Sequence, residues 1–112
     1  MHYLLFYEKA PGSAEREGPL RAAHRAYAQA AVRRGELVLG GSLADPADGT
    51  AVLLFRADSA ATAEAFAAAD PYVLNGIVNR WRVRPWQTVV GEGAAVPSPE
   101  PEGSSAEPLY GL

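Results

Sequence analysis

The sequence predicts an α+β fold: a four-stranded antiparallel sheet with two helices packed on one face. Three observations predict it. Short apolar runs and two Ala-rich helical stretches follow one another as strand, helix, strand, strand, helix, strand. Glycine or proline punctuates the junctions. The 112 residues are enough for one small hydrophobic core and too few for two. Strand–helix–strand used twice is the split βαβ arrangement, the ferredoxin-like βαββαβ order.

His2–Tyr7 is a run rich in Tyr, Leu and Phe, broken by Pro11, Gly12 and Ser13, which reads as a strand and a turn. From Ser13 or Pro19 to Arg34 the period becomes helical. Leu20, Ala23, His24, Tyr27, Ala28 and Ala31 recur there at spacings of three and four on one face. Gly35 stops this helix, and Arg33 and Arg34 sit where its dipole favours cations. Leu37–Leu43 is a second strand, in which Gly40 and Gly41 predict a bulge or a close approach of another group. Asp45, Pro46, Asp48 and Gly49 form a hairpin loop into a third strand, Thr50–Arg56. Asp58 or Ser59 caps a second helix, with Glu64 in its early turns and Ala63, Phe66 and Ala67 on its inner face. Pro71 ends it or follows it closely, because the residue before a proline avoids helical angles. Ile77–Val90 reads as a long last strand, with Pro85 marking an edge position or bulge. The second face of such a sheet carries large apolar side chains with no helix to cover them. A second copy of the chain is the simplest cover, so a homodimer is expected.

The charge is unevenly spread. Residues 92–112 hold four Glu and no Lys or Arg, so of the net −3 they supply −4 and the body, residues 1–91, supplies +1. Pro97, Pro99, Pro101 and Pro108 crowd the same stretch, which has too little apolar surface to offset the entropy of ordering it and reads as an acidic, disordered tail. A near-neutral body offers no basic surface for nucleic acid or an anionic membrane. No apolar run approaches the ~20 residues that cross a bilayer. Met1–Glu8 lacks a basic segment and a cleavage site, so it reads as a first strand and the chain as cytoplasmic. The absence of Cys excludes disulfides, thiolate nucleophiles and Cys-ligated metals. Two histidines without a carboxylate cluster make no metal site, and no cofactor is expected. His2, beside the start Met, reads as an edge residue. Tyr3, Tyr7, Tyr27, Phe55 and Phe66 read as core.

His24 carries the most information, because an imidazole titrates near neutral pH. On the sheet-facing stripe it is either a partly buried histidine satisfied by backbone or a general base. Arg21, one turn earlier, is either a solvated arginine or the holder of an anion beside the imidazole. Asp70, before Pro71 and Tyr72, is either an ordinary turn residue or a carboxylate that fixes an imidazole tautomer. Spacing alone does not pair His24 with Asp70, 46 positions away. Arg80, Arg82 and Arg84 alternate, so they share one strand face and are either solvated, paired between subunits, or a recruiter of carboxylate or phenolate.

RAAHRAYAQAAVRRGELVLGGSL at residues 21–43 and AAADPYVLNGIVNRWRVRPWQTVV at residues 67–90 resemble the YCII-related (YciI-like) family. The resemblance rests on Arg21, His24, Gly35, Gly41, Asp70, Pro71, Tyr72, Gly76, Pro85 and Trp86, and it leaves the tail outside. It implies a dimeric α+β barrel of ferredoxin-like protomers, whose cleft holds His24 as general base and Asp70 as its partner. It further implies a cofactor-independent lyase or isomerase acting on a small cyclic or aromatic compound, as a dehydrochlorinase relative does. Arg21, Ser42, Tyr72, Arg80 and Arg82 would contact that substrate. Ser42 stands where relatives often carry proline, and Asn79, Arg80 and Trp81 also depart from them. The alternative is a dimeric module that binds a small ligand without turning it over.

Overall fold

The computed structural model describes residues 1–96, so residues 97–112 of the acidic tail lie outside the described residues. Its elements are β1 (His2–Lys9), α1 (Ala14–Arg33), β2 (Leu37–Ser42), β3 (Thr50–Arg56), α2 (Ala61–Ala69), α3 (Pro71–Leu74) and β4 (Val78–Trp86). The strands form one antiparallel sheet in the order β2-β3-β1-β4, the ferredoxin-like arrangement. Sequential strands separated by a helix thus end up apart, and β1 and β3 take the centre.

Alternation along β1 sorts its side chains between two environments. Tyr3, Leu5 and Tyr7 are buried beneath the helices with Leu53, Phe55, Ala63, Phe66 and Ala67. Leu4 and Phe6 point the other way, opposite Leu54 and Val52 of β3 and Arg84 and Arg82 of β4. Phe55 meets Phe66 edge to face with ring centroids 5.1 Å apart, which locks α2 onto the sheet.

Several boundaries differ from the sequence expectation. The first helix begins at Ala14, so Pro19 lies within it. A proline there deletes only the bond its amide would have made to Glu15, near a terminus where donors already lack partners. The helix ends as expected: Gly35 has φ 78°, and Gly35 and Glu36 donate back to the carbonyls of Val32 and Ala31. The irregularity in β2 falls between Leu37 and Leu39, before the glycine pair. Ala60 is the N-cap of α2, while Ser59 accepts from the Ala61 amide through its hydroxyl at 3.3 Å.

The last strand stops at Trp86 and does not run to Val90. Residues 87–96 instead fold back, held by the Thr88 hydroxyl, which accepts from the Ala95 amide at 2.8 Å, and by Val89, which is buried. His2 is therefore no edge residue. It lies on a central strand and is buried, with its Nδ1 2.6 Å from Thr88 Oγ1. Burial and the nearby Arg56 guanidinium hold its imidazole below the ordinary histidine range. Among the described residues, no helix is long and apolar enough to cross a membrane.

Candidate active site

The second helix does not simply end at Pro71. The proline pushes Asp70 into an extended conformation (φ −66°, ψ 129°) and then serves as the first residue of the unanticipated α3, where its missing amide hydrogen costs nothing. Asp70 becomes the N-cap of that short helix, and its Oδ1 accepts from the Tyr72 amide at 2.9 Å. One turn chemistry thus buries a carboxylate and raises an aromatic ring next to it.

The carboxylate is fully buried and has three donors. Besides the Tyr72 amide, His24 Nδ1 lies 2.8 Å from Oδ1, and the Tyr7 hydroxyl donates to Oδ2 at 2.8 Å. An ionised carboxylate only accepts, so the proton in the His24 contact belongs to Nδ1 of the imidazole. Nε2 is then the ring nitrogen with a free lone pair. The Tyr72 ring stacks on the imidazole at 4.0 Å between centroids and 5° between planes, fixing its orientation. Burial and the Asp70 charge push the Tyr7 phenol far above the ordinary tyrosine range, which keeps it a donor. Tyr27 is also raised by burial, and its hydroxyl donates to the Phe66 carbonyl at 2.7 Å.

The imidazole opens onto a cleft of about 630 Å³ between α1 and the β2–β3 edge. The cleft exists because the β2 positions that face the helix are Gly40 and Ser42, and the helix answers with Ala28: none of them can fill the space. A Cβ added at Gly40 would sit 3.4 Å from Leu53 Cγ, in ordinary van der Waals contact. Leu37 and Leu53 supply apolar surface, while Arg21, Arg25, Ser42 and Tyr72 supply polar groups. Lys9 and Glu17 pair at 3.0 Å on the rim. Arg21 and Arg25 stand one turn apart on α1 with His24 between them, and among the described residues neither has an ion-pair partner.

Of the residues singled out from the sequence, the structure thus brings His24, Asp70, Tyr72, Arg21 and Ser42 together around one cleft. Arg80 and Arg82 are elsewhere. Their register opposite Glu8 and Phe6 puts them on the sheet face turned away from the helices, where Arg82 lies 4.8 Å over the Phe6 ring and Arg80 Nε is 3.8 Å from Glu8. Among the cleft residues that the sequence does not single out, Arg25 and Tyr7 stand nearest the pair. Arg25 follows His24 and shares the helical face of Arg21, a signal that was present. Tyr7 reads as core by residue type, and nothing local reveals that its hydroxyl meets a carboxylate 63 positions away. Among the described residues, no group of three His, Cys, Asp or Glu side chains is placed to hold a metal ion.

The model of the YCII-related domain matches residues 1–87. The chain belongs to that family. This YCII-related protein also resembles two solved structures. One is the 5-chloro-2-hydroxyhydroquinone dehydrochlorinase of Burkholderia phenoliruptrix, in complex with 2,5-dihydroxybenzoquinone, at TM-score 0.66 and 23% identity over 79% of this chain and 95% of that one. The other is protein Atu4242 of Agrobacterium tumefaciens, at TM-score 0.53 and 15% identity over 86% of this chain and 99% of that one. At these identities the likeness establishes the fold. No curated protein matches the chain.

Proposed function

We propose that this protein is a small enzyme that needs no cofactor and abstracts a proton from an acidic carbon or hydroxyl of a small cyclic or aromatic compound. The observation that carries this reading is the 2.8 Å contact between His24 Nδ1 and the buried Asp70 at the wall of a cleft. Asp70 holds the proton on Nδ1, which leaves Nε2 as the base. Nε2 takes the substrate proton. In an isomerase the imidazolium returns it at another atom; in a lyase an anion such as chloride departs with the bonding electrons and the proton passes to solvent. Arg21 and Arg25 offset the negative charge that develops on the substrate, and Ser42 and Tyr72 complete its contacts. The likeness to a dehydrochlorinase supports a ring-shaped substrate.

A screen of phenols, lactones and chlorinated quinols supplies the substrate for the decisive measurement. His24→Ala should lower kcat by about 10²–10⁴-fold, the usual worth of a positioned base. Asp70→Asn should lower it by about 10–100-fold, as loss of an orienting carboxylate does. Unchanged rates in both variants, or binding without turnover, would favour a non-catalytic ligand-binding module. We further propose that two copies associate through the helix-free sheet face, where Leu4, Phe6, Val52 and Leu54 are only partly covered. In that assembly Arg80 and Arg82 would line the space between subunits, across the sheet from the His24 cleft, and so would serve the subunit contact and not the substrate.

A further inference from the structure

Tyr7 is a core residue by burial, at 2% exposure, yet its polar atom is spent on one of the two oxygens of Asp70. A carboxylate turns readily about its Cβ–Cγ bond, since such torsions are broad, and needs a pin on each oxygen to hold one plane. Two of its donors, the Tyr72 amide and His24 Nδ1, meet at Oδ1. Oδ2 has the Tyr7 hydroxyl, and with Asp70 fully buried no solvent reaches it as a substitute. The charged groups around the pair are Lys9 of β1 and Glu17, Arg21 and Arg25 of α1, and its titratable phenols are Tyr7 of β1, Tyr27 of α1 and Tyr72 of α3.

We propose that Tyr7 is a positioning residue: its hydroxyl locks the Asp70 carboxylate in the plane that aims Oδ1 at His24 Nδ1, and so sets which imidazole nitrogen is left as the base. The inference rests on the reading of His24 as that base. Without the hydroxyl, Oδ2 becomes a buried acceptor with no partner. The carboxyl then turns, or takes up a proton and loses its charge, and either change weakens the acceptor that holds the hydrogen on Nδ1.

The test is the tautomer of neutral His24, read from the ¹⁵N shifts of its ring nitrogens. The chain has only 2 histidines, so His24→Gln assigns the signals. In the wild type the Nδ1–H form should predominate. In Tyr7→Phe, which keeps the ring and its packing, the ratio of Nδ1–H to Nε2–H should fall by about tenfold, the low end of what an orphaned buried acceptor costs. Tyr27→Phe is the control, because it deletes a comparable hydroxyl bond, to the Phe66 carbonyl, and should lower the Tm while leaving the ratio unchanged. A Tyr7→Phe protein with a lowered Tm and the wild-type ratio would reduce Tyr7 to packing and overturn the proposal. Asp70→Ala, which removes the acceptor outright, separates the two readings: a wild-type ratio there overturns the His24–Asp70 base itself, whatever Tyr7 does.

Discussion

The two faces of the sheet are made from the same four strands and behave as different materials. Tyr3, Leu5, Tyr7, Leu53 and Phe55 on one face are closed over by α1 and α2, and that closure opens at the cleft beside His24. The other face alternates with it residue by residue. It pairs Leu4, Phe6, Val52 and Leu54 with a row of arginines, and only its His2 end is covered, by residues 87–96. The contrast teaches that packing and the buried His24–Asp70 pair share one side here, whereas the other side leaves its apolar residues only partly covered.

The sharpest way to separate the faces is to cut the same kind of mass from each. Phe55→Ala, at a fully buried site, should destabilise the protomer by about 3–5 kcal/mol, as large-to-small core changes do. Chemical denaturation followed by circular dichroism checks it, and a loss under ~1 kcal/mol would mean that the core is less committed than its burial implies. Leu54→Glu, one residue away on the other face, should leave the protomer's own fold within about 1 kcal/mol. It should instead turn a dimer into a monomer in sedimentation equilibrium at micromolar concentration; a variant that stays dimeric would place the association surface elsewhere.

The smallest effect belongs to the covered end of the open face. His2 titrates lower in the folded chain than its ordinary 6.5, so the folded state favours the neutral imidazole and the unfolded state binds the proton more readily. The stability this contributes is complete above pH 6.5 and is lost as the pH falls from 6.5 through the depressed folded value. A Tm measured from pH 7.5 to 5 should therefore decline, and His2→Asn should flatten the decline. An equal slope in both proteins would assign it to other groups.

Much of this architecture is legible in the residues. The alternation of β1, the Gly35 stop, the Asp45–Gly49 hairpin and the helical stripe ending at Ala31 each follow from local rules, and together they specify the ferredoxin-like order. The site was legible in pieces. His24 stood out by its chemistry and Asp70 by its place before Pro71, but the bond between them joins a helix to a turn across the core. The short α3 was missed because Pro71 reads equally as a stop and as a first helical residue. The fold-back of residues 87–96 was missed because its anchors, His2 and Thr88, lie 86 positions apart.

By itself, then, the sequence determined the sequence of elements, the near-neutral body, the absence of thiol chemistry and the residue types available for proton transfer, because propensity, periodicity and charge are local properties. Only the tertiary structure decided that Tyr7, His24 and Asp70 form one hydrogen-bonded set, that Gly40 and Ser42 leave room for a cleft, and that Arg80 and Arg82 face away from it. Those outcomes depend on strand register and on the order β2-β3-β1-β4, in which a shift of one residue would exchange the two faces.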